Sequence, residues 1–184
     1  MTEQNISLER LEDTINVFGS FDENIRIIER EMGVTVYIGH NSKNIPNDAE
    51  FVVRTAAVHD DNPEIQEAHR RGMAVVVGAT NVLMGRSHSN NLSAREAIEN
   101  GCADILVSDY FPAAILHGVF KLWEDGTLPL PQAVNMATLN PAKAVRVAEH
   151  LGSIEPGKCA DLILVSKKGK IPVVLSTFIN GEEV

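Results

Sequence analysis

Two residues stand where a metal-assisted reaction would need them. Asp109 follows the apolar run Ile105-Leu106-Val107-Ser108, and His59 opens His59-Asp60-Asp61 directly after Ala56-Ala57-Val58. Neutral imidazole and carboxylate both bind divalent metals, and a carboxylate beside the metal can take a proton from its bound water. His40, after Val34-Thr35-Val36-Tyr37-Ile38, and Ala79-Thr80-Asn81, after Met73 to Val77, occupy the same kind of position. A helix cap or a solvated loop residue also suits each of these places, so the spacing leaves both readings open. A second chemistry is written in Gly85-Arg86-Ser87-His88-Ser89-Asn90-Asn91, the densest cluster of hydrogen-bonding groups in the chain. Guanidinium, imidazole and hydroxyl groups together suit phosphate oxygens through charge-assisted bonds. The cluster lies just before a helix start at Ser93, where unpaired N–H groups favour an anion. Ser, Asn and Gly also simply build loops, and that reading stands beside the anion site.

Other polar residues point to structure. Gly152-Ser153-Ile154-Glu155-Pro156-Gly157-Lys158-Cys159 has the glycine and lysine spacing of a phosphate-binding loop, but Cys159 replaces the magnesium-holding hydroxyl, so the segment reads as a turn. His69, His117 and His150 fall within or at the ends of helical segments with no partner at metal spacing, and Asp161 opens a strand. Cys102 and Cys159 are the two cysteines, too few for a disulfide framework or a thiolate zinc site, and they read as small packing residues.

The elements that must position these groups follow from the pattern. Ser20 with Glu23 makes a capping box ahead of Ile25, Ile28 and Met32, and Gly33 stops that helix. Val34 to Ile38 reads as a strand, and Asn41 to Asp48 as a linker. Phe51-Val52-Val53 is a strand. Asn62 caps a helix with Pro63 in its first position and Gly72 at its end, and Met73 to Val77 is a buried-type strand. Ser93 and Glu96 begin a helix ending near Gly101, Ile105 to Ser108 is a strand, and Pro112 to Trp123 is helical. Two short helices follow, the second capped by Asn140 ahead of Pro141. Strands over Asp161 to Val165 and Pro172 to Ile179 come next, then the hairpin dipeptide Asn180-Gly181. Unbroken apolar strands separated by capped helices predict a parallel sheet with helical crossovers, whose strand carboxyl ends form the functional edge.

With 184 residues, lysine plus arginine at 16 and aspartate plus glutamate at 25, the chain carries a formal charge of −9. That balance excludes nucleic acid as a main partner. No apolar run approaches membrane length and the polar start lacks signal-peptide order, so the expectation is a cytoplasmic protein without a membrane partner.

Two stretches resemble known families. Gly72 to Asn81, then Gly85-Arg86-Ser87-His88-Ser89, Asn91 to Glu96 and Val107-Ser108-Asp109-Tyr110 are similar to a phosphonate-breakdown branch of the amidohydrolase superfamily. Met136 to Ala144, Gly152 to Lys158 and Phe178 to Gly181 resemble the ending of amidohydrolases generally, so the likeness runs over about residues 56–184. It implies metal-assisted attack of water on a sugar triphosphate, releasing pyrophosphate. It implies a divalent metal, zinc or similar, on His59 and Asp109, with Asp109 the catalytic proton acceptor. Arg86, Ser87 and His88 become the substrate contacts. The superfamily's early His-x-His pair and middle-strand ligands have no counterpart in this sequence. Residues 11–36, with Phe18 to Asn24 and Glu29 to Val34, resemble the start of PhoH-like ATPases, but no nucleotide-binding loop follows.

The expected fold is α/β, a partial TIM-barrel-like metal-dependent hydrolase ending in strands of a small β-sandwich. Its expected divisions are an N-terminal segment at 1–40, a linker at 41–48, a partial barrel at 49–148 and terminal strands at 149–184. The expected function is hydrolysis of a phosphorylated small molecule. The alternative is a non-catalytic fragment or a phosphate-binding interaction module. A partial barrel leaves unpaired strand edges, so a homo-oligomer or a partner chain is expected.

Overall fold

A computed structural model describes residues 23–37, 39–54, 58, 61–85, 94–108 and 111–184. Helix α1 spans Glu23–Met32 and ends at Gly33 as the sequence predicts, although Met32 is exposed. Residues 34–37, expected as a strand, pair with neither sheet. The Val36 N–H instead donates to Glu29 Oε1 at 3.1 Å, so a side chain supplies the acceptor that a ladder would have supplied. The stretch expected as a linker holds a 3-10 turn, Ser42–Asn44, and Ile45 behind it is buried.

Strands β1 (Phe51–Val53), β2 (Ala74–Gly78) and β3 (Ile105–Val107) form a parallel sheet in that order. The register places Val53 beside Val76, Val76 beside Ile105 and Gly78 beside Val107. Central β2 is buried almost throughout, which is why its sequence is continuously apolar rather than alternating. Helix α2 (Pro63–Arg70) crosses from β1 to β2. Asn62 caps it, accepting from the Glu64 N–H at 2.8 Å, and proline fills the first turn.

Helix α3 (Ala79–Met84) begins directly at the end of β2, and α4 (Ala94–Glu99) leads to β3. Helix α5 (Ala114–Glu124) packs on α3 through Gly118, where an added Cβ would meet the Ala79 Cβ at 3.4 Å. Helices α6 (Leu130–Asn135) and α7 (Leu139–Ala144) follow. The sequence assigns the α7 cap to Asn140, but Thr138 holds that position without a side-chain capping bond, its hydroxyl donating to the Val134 carbonyl at 2.9 Å instead. Asn140 Nδ2 instead donates to the Asp104 carbonyl at 2.8 Å, tying α7 to the start of β3.

The core has two parts. One gathers Val77, Leu106, Leu122 and Met136 from the sheet and α3 to α6; the other gathers Ile45, Ile65, Met73 and Val75. Strands β4 (Leu162–Lys168), β5 (Ile171–Ile179) and β6 (Glu182–Glu183) form an antiparallel sheet in sequence order. Asn180 at φ 51° and Gly181 at φ 86° make the two-residue turn between β5 and β6 that the dipeptide predicts. Both cysteines are free; Cys102 is half-buried, whereas Cys159 is exposed rather than packed. No described helix is long and apolar enough to cross a membrane.

Candidate functional site

The three parallel strands bring their carboxyl ends to one edge, where β1 ends at Val53, β2 at Gly78 and β3 at Val107. In sequence, the segments carrying His59, Arg86 to His88 and Asp109 continue from β1, from α3 after β2, and from β3. His59, Arg86, Ser87, His88 and Asp109 themselves lie outside the described residues. What the structure describes is the frame on either side of them.

Arg54 is the first residue past β1, and it is buried at 5% exposure. Its N–H donates to the Val76 carbonyl at 3.1 Å, extending the β1–β2 ladder by one step, while its guanidinium Nη2 donates to the Val58 carbonyl. Val58 in turn packs on the Ile65 and Val75 cluster. The residue before His59 is therefore held by a buried cation on one side and an apolar contact on the other. The sequence reading passed over Arg54, although its place directly after an apolar strand is the same signal that singled out Asp109.

Glu64 is the second buried charge it passed over. Its Oε2 accepts from His40 Nδ1 at 3.1 Å, and its Oε1 accepts from Asn44 Nδ2 at 2.7 Å and from the Asn41 N–H at 3.4 Å. A buried carboxylate surrounded by donors in this way is stabilised without a counter-ion beyond the protein. It also explains His40, whose place after an expected strand had suggested a metal ligand. The ring is engaged in fastening the 39–44 turn to α2.

This donor set does not fit a divalent metal. Both Glu64 oxygens already accept hydrogen bonds, and no three His, Cys, Asp or Glu side chains gather among the described residues. One surface further along α2, Glu67 is held down to about 2 from its ordinary 4.5 by hydrogen bonds from Arg70 and then Arg71. Arg71 also donates to the Pro46 and Ile45 carbonyls at 2.7 and 3.2 Å, so this cluster is a structural clamp on the 45–46 backbone. Lys158 behaves as the turn reading expects, with its Nζ 2.5 Å from Ser153 Oγ and 3.3 Å from Glu155 Oε1. Asp161 Oδ1 accepts from the Asn180 N–H at 2.8 Å, bracing the last turn.

Comparison with known proteins gives three findings. The sequence pattern of the amidohydrolase family matches residues 12–184, taking in the 11–36 stretch that resembles another family and starting well before residue 56. Alpha-D-ribose 1-methylphosphonate 5-triphosphate diphosphatase of Escherichia coli (strain K12) is 44% identical over 108 residues, 57% of this chain and 28% of that protein. UDP-N-acetylmuramate–L-alanine ligase of Aquifex aeolicus (strain VF5) is 44% identical over 57 residues, 31% of this chain and 12% of that protein. Among solved structures, an amidohydrolase from Thermotoga maritima MSB8 superposes with a TM-score of 0.53 at 22% identity, covering 98% of this chain and 42% of that one. The chain thus spans less than half the length of each of these proteins.

Proposed function

This chain belongs to the amidohydrolase family, and from that premise we propose that it is a hydrolase acting on a phosphorylated small molecule. The substrate we propose is the sugar triphosphate named for the Escherichia coli diphosphatase, cleaved by water to the 5-phosphate and pyrophosphate. The observation that carries this reading is the 44% identity over 108 residues to that protein. Asp109 is assigned the proton of the attacking water, and Arg86, Ser87 and His88 the phosphate oxygens, because a guanidinium and hydroxyls suit that anion. His59 and Asp109 are the residues proposed to hold a divalent metal, zinc or similar, which would supply Lewis-acid stabilisation of the leaving phosphate. The buried Arg54 supports the assignment of His59 by fixing Val58 just before it.

The test is metal content by elemental analysis, followed by pyrophosphate release from the triphosphate. Wild type is expected to carry metal that Asp109→Ala and His59→Ala lose, with activity falling by about 10²-fold or more. Arg86→Ala is expected to raise KM while leaving metal in place. A well-folded wild type without metal would sink the hydrolase reading. It would leave the second one, a non-catalytic amidohydrolase fragment or a phosphate-binding module. For that module, pyrophosphate binding would depend on Arg86 and His88 alone.

A further inference from the structure

A buried arginine stands at the carboxyl end of the parallel sheet. A cation inside a protein is costly unless hydrogen bonds satisfy it, so its bonds show what it is kept for. The Arg54 side chain turns forward along its own sequence and donates from Nη2 to the Val58 carbonyl, while its backbone N–H holds the Val76 carbonyl of β2. The last rung of the β1–β2 ladder is thereby joined to a residue four positions on. Neither the ladder nor helix α2 needs the guanidinium for its own formation. The backbone N–H of any residue but proline would extend the ladder, and Asn62 caps α2 by accepting from the Glu64 N–H at 2.8 Å. What the guanidinium adds is control of Val58.

Val58 is the residue before His59. Its side chain packs on the Ile65 and Val75 cluster, and its carbonyl is held by Arg54. Covalent geometry passes that constraint on, because the His59 Cα lies about 3.8 Å from the Val58 Cα across one peptide bond. At the far end Asn62 is buried at the start of α2. Residues 59–61 therefore run between two fixed points, one set by Arg54 and the other by the helix cap.

We infer that Arg54 is a positioning residue of the candidate site, fixing through the Val58 carbonyl where the His59 imidazole stands. The catalytic consequence rests on the hydrolase reading of His59; the anchoring rests on Arg54 and Val58 alone.

Amide hydrogen exchange and steady-state kinetics of the full chain, with Arg54→Met and Arg54→Lys beside wild type, test it. Methionine keeps an apolar stem and removes every side-chain donor, and such a replacement of a buried charge is compatible with folding. In Arg54→Met, exchange across residues 55–61 is expected to quicken about tenfold or more while that of α2 stays unchanged. The kcat for pyrophosphate release is expected to fall about tenfold or more with KM within about twofold of wild type, since a misplaced reacting group costs rate rather than substrate binding. Arg54→Lys retains a donor for the Val58 carbonyl and is expected to recover most of both. Should Arg54→Met fail to fold, Arg54→Gln, polar but shorter, takes its place with the same expectations. Unchanged exchange over 55–61 overturns the inference whether or not the chain is a hydrolase. So does quickened exchange with kcat intact, which would make Arg54 a structural tie only. An inactive wild type whose 55–61 exchange still depends on Arg54 sinks the hydrolase reading and leaves the anchoring in place.

Discussion

At the scale of single residues, buried charges set the frame around the candidate site. Arg54 and Glu64 are both nearly inaccessible, and each is kept in place by hydrogen bonds rather than by apolar packing. The half-buried charge cluster on α2 does a different job. The Glu67 carboxyl is held at about 2 in the folded chain, below its ordinary 4.5, by the Arg70 and Arg71 guanidinium groups. A carboxylate depressed on folding contributes stability that is complete above its unfolded value and is lost as pH falls through the folded one. Melting temperature should therefore decline for wild type between pH 4.5 and 2 with a component that Glu67→Gln lacks, so the two proteins converge at the acid end. Parallel melting curves over that range would rule the clamp out as an acid-labile contact. His59, Arg86 and Asp109 stand out in the sequence because each follows an apolar run or precedes a cap, and they lie outside the described residues. Glu64 does not stand out, because nothing in Asn62-Pro63-Glu64 tells a first-turn acid facing solvent from one buried under His40.

At the scale of elements, short helices and turns depend on local contacts that tolerate little. Gly152 lies at φ +89°, and a Cβ there would sit 2.7 Å from Ala142 Cβ and 3.0 Å from both Leu139 Cα and the Thr138 carbonyl of α7. Gly152→Ala combines left-handed strain with overpacking against backbone, and a loss of about 2 kcal/mol or more is expected in urea unfolding. A loss under about 0.5 kcal/mol would mean that the turn yields freely. The neighbouring β-sheet shows how irregularity enters a strand: Leu164 pairs with Ser176 but Val165 with Val174, leaving Leu175 as an extra residue. Alternation in the sequence of β5 does not announce this bulge. The turn at Asn180-Gly181 it does announce, since two consecutive positive φ angles leave few other residue choices.

At the scale of the whole molecule, two apolar clusters share one parallel sheet. Ile65 belongs to the cluster with Val75, and Ile98 to the one with Val77 and Leu106, while Val75 and Val77 are next-but-one neighbours on β2. If β2 couples them, the chain unfolds in a single transition. Ile65→Val and Ile98→Val should each cost about 0.5 to 1.5 kcal/mol. The double variant should match their sum within about 0.5 kcal/mol, since the side chains share no contacts. Two separate transitions by fluorescence and circular dichroism would show that the clusters fold independently.

Sequence alone specifies the parallel α/β segment, the capped helix after Asn62, the Asn180-Gly181 hairpin turn and membership of the amidohydrolase family. Each of these is encoded locally, in apolar runs, caps and turn dipeptides, or in an extended run of matching residues. Contacts made on folding, not local pattern, set His40 against Glu64, Arg54 on Val58 and Asn140 on the Asp104 carbonyl instead of its own helix cap, and keep residues 34–37 out of both sheets. These outcomes turn on which donor meets which acceptor between segments up to 36 residues apart. Burial makes such pairings decisive, because an unsatisfied polar group inside the protein costs more than any local preference can return.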